Sequence, residues 1–193
     1  MNKKTLIILG VLVILIFISV GRYNSMVGAD ETVIAQWANV ETQYQRRADL
    51  IPNLVSTVKG YAAHEKETLE GVVQARAKAT SVSIDPSNLN AQSMQQYQAA
   101  QNGLSSALSR LLVTVEKYPD LKANQNFLEL QAQLEGTENR IAVERRRFNE
   151  VVRAYNTYIR SFPNNMLAGA FGFEKKEAFA SQEGTENAPK VEF

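Results

Sequence analysis

Cysteine is absent from this 193-residue chain, and His64 is its only histidine. The absence of cysteine excludes disulfides, thiol nucleophiles, cysteine-bound metals and lipidated cysteines. Zinc and other transition metals are held mainly by cysteine and histidine, so a lone histidine predicts that no such metal is bound. We expect His64 to be a solvated or capping residue at the start of a helix.

The chain also lacks a charge excess of either sign, with 21 Lys and Arg against 20 Asp and Glu. A nucleic-acid-binding surface needs an excess of basic residues, so no nucleic-acid partner is expected. Glycine-rich phosphate loops, nucleophile elbows and patterned calcium loops are missing from the sequence as well. The sequence therefore predicts neither an enzyme nor a cofactor.

Charge is missing altogether from the apolar run Thr5–Gly21. Its 17 residues would span about 25 Å as a helix, enough to cross a bilayer at the short end of the range. We predict an uncleaved transmembrane signal-anchor over residues 5–21 behind a short cytoplasmic N-terminus at residues 1–4, with cleavage as the alternative. Lys3 and Lys4 precede the run and Arg22 alone follows it, which favours a single pass through the inner membrane with the body on the periplasmic or extracytoplasmic side. A bias of two lysines against one arginine leaves the opposite orientation open.

Beyond the span, apolar residues recur every seven positions, the period of long helices packed along a seam. The clearest run predicts one helix from about Asn124 to Ser161. A second run predicts a helix from Asp30 that kinks or restarts at Pro52. The two seams are Phe127, Leu134, Ile141, Phe148, Tyr155 and Phe162, and Trp37, Tyr44, Ile51 and Val58.

Two further helices are predicted between these seams, one over roughly His64–Thr80 and one along the stripe Tyr97, Leu104 and Leu111, with Ser81–Asn90 as the loop between them. No alternating strand pattern occurs in the sequence. We therefore predict an all-α fold, an antiparallel bundle of about four long helices over residues 30–173. If the first helix continues to Thr80, the result is a three-helix bundle with one very long member.

A small and apolar segment, Asn164–Phe173, follows the last long helix. One interpretation is a cap folded over the open end of the bundle. The other is contact with the membrane interface or a partner, because an antiparallel last helix ends near the anchor. The residues predicted to make such contact are Met166, Leu167, Phe171 and Phe173.

Polar residues dominate positions 174–193, which predicts a flexible C-terminal tail. Val191 and Phe193 alternate with Glu192 at its end. This is the form of a ligand for a sheet edge or a carboxylate-binding pocket, so Val191 and Phe193 are also candidate partner-binding residues. An idle terminus, or one folded back on the bundle, is the alternative.

Arg47 interrupts the apolar side of the first helix, and Glu144 lies beside the seam of the last one. In an antiparallel pair their depths match, because Arg47 is 17 residues from Asp30 and Glu144 is 18 residues from Phe162. We predict a structural ion pair between Arg47 and Glu144 that sets helix register. The alternative is that both side chains extend outward into water.

Three segments of this chain resemble the LemA family of membrane-anchored bacterial helical proteins. They are Gln45–Val55 with Lys59-Gly60-Tyr61, Tyr118–Arg147, and Phe162-Pro-Asn-Asn with Gly172-Phe173 and the closing Pro-Lys-Val-Glu-Phe. The resemblance extends over about Val33–Phe193 and implies a helical bundle behind a membrane span. It implies no established activity, but it suggests membrane-protein quality control as a context and a membrane protease as a candidate partner.

These observations predict a membrane-anchored interaction module or scaffold of the bacterial cell envelope. Other membrane or envelope proteins are the expected partners, and self-association of the long helices is also compatible with the pattern. The alternative is a protein that binds an envelope lipid or glycan in a groove between helices. A groove of that kind needs apolar surface that the chain's own side chains leave uncovered.

Overall fold

The computed structural model describes residues 2–180, and in that part of the chain it contains helices and no strand. The prediction of an all-α fold is confirmed. The helices are α1 (Lys3–Tyr61), α2 (Lys66–Ser81), α3 (Ala91–Val115), α4 (Pro119–Lys122), α5 (Gln125–Arg160) and α6 (Asn164–Phe171).

The membrane span and the first bundle helix are one continuous helix. α1 has 59 residues and is therefore about 88 Å long. Its N-terminal part is long and apolar enough to cross a membrane, and it is the one such helix among the described residues. The helix neither restarts at Pro52 nor breaks between residues 21 and 30. The bundle is therefore joined to the span without a hinge of irregular backbone.

α5 runs antiparallel to α1 and makes the most extensive helix contact in the fold. α2 and α3 form a hairpin, of which α2 packs on the outer part of α1. Arg76 of α2 fixes this contact, since its Nε donates a hydrogen bond to the Ala48 carbonyl at 2.7 Å. The predicted heptad residues from Phe127 to Tyr155 and from Trp37 to Val58 are buried, as the seam pattern requires. The prediction is wrong for Phe162, the last residue of the first seam, which is 81% exposed because α5 ends at Arg160.

The core consists of two clusters stacked along the bundle. The inner cluster, nearer the span, surrounds Trp37 and includes Tyr97, Phe148 and Tyr155. The outer cluster includes Ile51, Leu111 and Phe127 and is covered by α2 and α3. The loop between α2 and α3 contributes Ile84 and Leu89 to the inner cluster. Part of the inner cluster is therefore formed by a loop, whereas the outer cluster is formed by helices.

Arg47 lies between the two clusters and is only 1% exposed. Its guanidinium donates hydrogen bonds to Glu138 Oε1 at 2.6 Å, Ser105 Oγ at 2.8 Å and Gln101 Oε1 at 2.7 Å. It also lies 5.1 Å from the centre of the Tyr44 ring. One buried cation thus links α1, α3 and α5, and this fixes the register of all three helices.

The predicted partner of Arg47 was wrong. Arg47 pairs with Glu138, whereas Glu144 accepts a hydrogen bond from Gln36 Nε2 at 2.7 Å and pairs with Arg147. Counting from the helix ends placed the partner six residues, or about 9 Å, too far along α5. The count failed because it placed Phe162 opposite Asp30, whereas α1 runs on through Asp30, α5 ends at Arg160, and Tyr155 is the residue of α5 beside Asp30.

Candidate interaction site at the membrane-proximal end

α6 folds back across the end of the bundle and packs against both α1 and α5. Its inner face buries Asn164 and Ala168, which are 3% and 4% exposed. Asn164 Nδ2 donates a hydrogen bond to the Tyr158 carbonyl at 2.9 Å, tying α6 to the last turn of α5. The cap interpretation of this segment therefore describes its inner face.

The outer face of α6 is apolar and exposed. Phe162 is 81%, Met166 69% and Phe171 48% exposed, and the sequence carries no charged residue from Ser161 to Phe173. Exposed apolar side chains on an uncharged segment are candidates for contact with a membrane or a partner. We call the surface formed by Phe162, Met166 and Phe171 the α6 face.

The predicted contact residues of this segment divide between the two faces. Met166 and Phe171 belong to the α6 face, whereas Leu167 and Phe173 are partly buried against the inner cluster. Sequence reasoning missed Tyr23, whose ring centroid lies 5.0 Å from that of Phe171 and 5.7 Å from that of Phe173. Val191 and Phe193 lie outside the described residues, so their predicted role stays a prediction.

The α6 face lies level with the end of the membrane span. Tyr23, which contacts Phe171, comes two residues after Gly21, the last residue of the apolar run. The run itself is about 25 Å long, shorter than the ~30 Å hydrocarbon core of a bilayer. The α6 face therefore continues the apolar surface of the run beyond Gly21, and we expect it to lie at the depth of the lipid headgroups if the run spans the bilayer.

A fluorophore on Met166 should report this depth. Because the chain has no cysteine, Met166→Cys gives one labelling site, and Val113→Cys near the outer end of α3 is a matched control with the same 69% exposure. In nanodiscs, an environment-sensitive dye at 166 is expected to emit at shorter wavelength than at 113 and to be quenched by spin-labelled lipid. Equal spectra and equal quenching at the two positions would show that α6 stands clear of the membrane.

The residues after α6 do not form a flexible tail as far as residue 180, and the prediction is wrong for 174–180. Phe179 is 4% exposed and stacks on Trp37 with ring centroids 5.8 Å apart and planes at 15°. Asn149 donates to the Phe179 carbonyl at 3.0 Å and accepts from its N–H at 2.9 Å. Asn156 makes the same pair of bonds with Lys176, at 2.8 and 2.9 Å.

The spacing of these two asparagines matches the segment that they hold. Asn149 and Asn156 are seven residues apart on α5, a rise of about 10.5 Å. Residues 176 and 179 are three apart, and three extended residues span about 10 Å. The segment therefore runs antiparallel to α5 and fills the groove beside Trp37.

Lys176 anchors this segment at the membrane-proximal end. Its side chain is 5% exposed, its Nζ lies 2.7 Å from Asp30 Oδ1, and it donates to the Pro86 carbonyl at 3.0 Å. Tyr155 lies beside this pair and donates to the Glu174 carbonyl at 3.0 Å. Burial raises the pKa of Tyr155 to about 12, and the negative charges of Asp30 and Glu174 act in the same direction.

The features at this end of the bundle are surfaces and contacts formed by the described residues. These residues contain no group of three or more His, Cys, Asp or Glu side chains placed to hold a metal ion. The arrangement at this end instead combines the α6 face, the Asp30–Lys176 ion pair and residues 174–180, which Asn149 and Asn156 hold against α5 and which we call the clamped segment. Such a site suits recognition of another molecule at the membrane surface.

The family model for the LemA family matches residues 36–193 of this chain, which confirms the resemblance predicted from its motifs. Curated relatives include magnetosome protein MamQ 2 of Paramagnetospirillum magneticum, which is 29% identical over 90% of this chain and 71% of its own length. MamQ of Magnetospirillum gryphiswaldense is 28% identical over 82% of this chain and 64% of its own length. Protein LemA of Metamycoplasma hominis is 25% identical over 79% of this chain and 66% of its own length. These likenesses, taken with the span in α1, indicate a membrane-associated helical protein.

Proposed function

This chain belongs to the LemA family, and from that premise we propose that it is a membrane-anchored interaction module or scaffold of the bacterial cell envelope. The observation that carries this proposal is the continuity of α1 from the span to the outer end of the bundle. A continuous helix transmits the position of the anchor to the whole bundle. The bundle can then hold a partner at a fixed height and orientation above the membrane.

We propose that the protein is located in the inner membrane, which α1 crosses once, with the bundle on the periplasmic or extracytoplasmic side. The two lysines before the span and the single arginine after it support this orientation. The bundle surface is otherwise mixed in charge, which gives no electrostatic reason for attachment to a polyanion.

The α6 face is the proposed contact surface for a protein partner. It is uncharged and level with the end of the apolar run, so we expect it at the depth of the headgroups and the matching surface of a partner at the same depth. This favours an integral membrane protein over a soluble one. A protease or another component of membrane-protein quality control is the candidate that the family resemblance suggests.

Site-specific photocrosslinking in living cells tests this proposal. We would place p-benzoylphenylalanine at Phe162, which is 81% exposed, and at Val113, which is 69% exposed, in the full chain. The expected result is one recurrent membrane-protein adduct at position 162 that is absent at position 113 and is lost when Met166→Asp adds charge to the α6 face. Identical adducts at both positions, or protein adducts that survive Met166→Asp, would contradict the proposed surface.

A further inference from the structure

A polar cavity of about 390 Å³ lies where α1, the loop between α2 and α3 and the start of the clamped segment meet. We call it the interfacial pocket. This volume is within the range of about 300–1,000 Å³ usual for small-molecule sites. Its lining residues are Tyr23, Val27, Asp30, Ser87, Asn88, Leu89, Asn90, Tyr155, Phe171, Gly172, Phe173, Glu174, Lys175 and Lys176.

The charged side chains of the interfacial pocket balance each other. Asp30 and Glu174 provide two carboxylates, and Lys175 and Lys176 provide two ammonium groups. Asp30 and Lys176 are paired at 2.7 Å, and Lys176 is 5% exposed. Lys175 lies 3.6 Å, Nζ to Oε2, from Glu177, but this pair is open to solvent, with Lys175 60% and Glu177 43% exposed, so a ligand can reach the ammonium group. Amides of Asn88 and Asn90 add neutral donors and acceptors.

A shallow and open apolar depression of about 500 Å³ extends along one side of α1 from the same place, with Phe171 as its wall from α6. We call it the span groove. It is lined by Leu12, Leu15, Ile16, Ser19, Val20, Tyr23 and Phe171. From Leu12 to Tyr23 the helix rises about 16 Å, which matches one leaflet of a hydrocarbon core that is about 30 Å thick.

Tyr23 and Phe171 line both the interfacial pocket and the span groove. The two cavities therefore meet end to end, with the polar one outside the apolar run of the sequence and the apolar one alongside it. This order, polar outward and apolar inward, is the order of a lipid standing in a leaflet. A water-soluble ligand would leave the apolar span groove unfilled, and a pure hydrocarbon would leave the charged interfacial pocket unfilled.

We propose that the interfacial pocket and the span groove together bind one zwitterionic phospholipid that carries a phosphate and a primary amine. Lys175 and the asparagine amides meet the phosphate, and Glu174 meets the amine. One acyl chain lies in the span groove against Ile16 and Phe171. The balanced charge of the lining disfavours an anionic headgroup, because a net negative ligand would leave one carboxylate uncompensated.

Native mass spectrometry of the full chain released from nanodiscs tests this proposal. The nanodiscs would contain equal amounts of phosphatidylethanolamine and phosphatidylglycerol. The expected result is one retained phosphatidylethanolamine per chain, at roughly fivefold or more over phosphatidylglycerol. Equal retention of the two lipids, or retention of neither, would overturn the proposal.

Two matched pairs of variants locate the bound lipid. Ile16→Trp fills the span groove and should abolish retention, whereas Ile14→Trp should not, since Ile14 is equally exposed (60% against 61%) but does not line the groove. Glu174→Lys should shift the preference toward phosphatidylglycerol, whereas Glu31→Lys, an exposed residue at similar height outside the pocket, should not. Equal effects within either pair would show that the lipid belongs to the general annulus and would overturn the site.

Discussion

Replacing Phe179 with alanine is expected to lower the free energy of unfolding by about 3 kcal/mol, the cost of emptying a large aromatic site in a core. Phe179 is 4% exposed and contacts two other core rings, stacking on Trp37 and meeting Phe148 edge-on at a centroid distance of 5.4 Å. Arg145 covers its outer side, with the guanidinium carbon 4.6 Å from the ring centre. Removal of the Phe179 ring would therefore expose Trp37 and Phe148 of the inner cluster on the side of the groove beside α5.

Thermal unfolding of the full chain in nanodiscs measures this effect, and about 3 kcal/mol corresponds to a fall of roughly 6–12 °C in Tm. Trp37 is the only tryptophan, so its emission should also move to longer wavelength as Phe179 is removed. Phe162→Ala is the matched control, because Phe162 is 81% exposed, and its Tm should change by no more than about 2 °C. An unchanged Tm and unchanged Trp37 emission in Phe179→Ala would show that residues 174–180 do not pack on the bundle.

The long helices were predictable because their packing leaves a periodic trace in the sequence. Residues spaced by seven, such as Phe127, Ile141 and Phe148, must all face one seam, and each of them is buried. The span was predictable for a similar reason, since a helix in lipid needs an uncharged run. What periodicity did not reveal is the absence of a break between the two, because a continuous and an interrupted helix can share the same stripe.

The packing of the clamped segment could not be predicted from the sequence, because the segment is bound mainly through its backbone. Asn149 and Asn156 bind the peptide groups of residues 176 and 179, and peptide groups are the same in every sequence. The charged residues around Phe179 made the segment read as polar tail, although a single aromatic among them was a signal. The other signal was the pair of asparagines seven residues apart on one helix. This spacing predicts a bound segment only when an extended chain is already known to lie beside the helix.

The membrane-proximal site was predictable as a segment but not as a surface. Sequence identified residues 164–173 as apolar and near the anchor, and they do pack there. Which residues face outward depends on how α6 is rotated, and Asn164, by binding the Tyr158 carbonyl, fixes that rotation. The contacts of Tyr23 with Phe171 and of Asp30 with Lys176 could not be predicted without knowing that α1 continues through both residues without interruption.

Replacing Glu138 with alanine is expected to cost about 2–3 kcal/mol of unfolding free energy, against less than about 1 kcal/mol for Glu144→Ala. Removal of Glu138 leaves Arg47, which is 1% exposed, with neutral partners alone, and an uncompensated buried charge is costly. Because Glu138 is itself 45% exposed, the cost is placed below that of a fully buried pair. Glu144 loses an amide hydrogen bond and a pair with Arg147, which is 62% exposed, and such contacts contribute little.

A double-mutant cycle separates the ion pair from its surroundings. Arg47→Met removes the buried charge while keeping an unbranched side chain, so Glu138→Ala added to it should cost clearly less than Glu138→Ala alone. The double variant should still be less stable than the unchanged protein, because Gln101 Oε1 loses the hydrogen bond that it accepts from the guanidinium. The Gln101 side chain remains held in place, since its amide nitrogen donates to the Ala79 carbonyl at 3.2 Å. If Glu144→Ala instead proved as costly as Glu138→Ala and its effect also fell in the Arg47→Met background, the register of α1 against α5 would have to be shifted by six residues. The inner cluster would then lose the contact of Trp37 with Phe148, so the same measurement tests the packing of the whole membrane-proximal half.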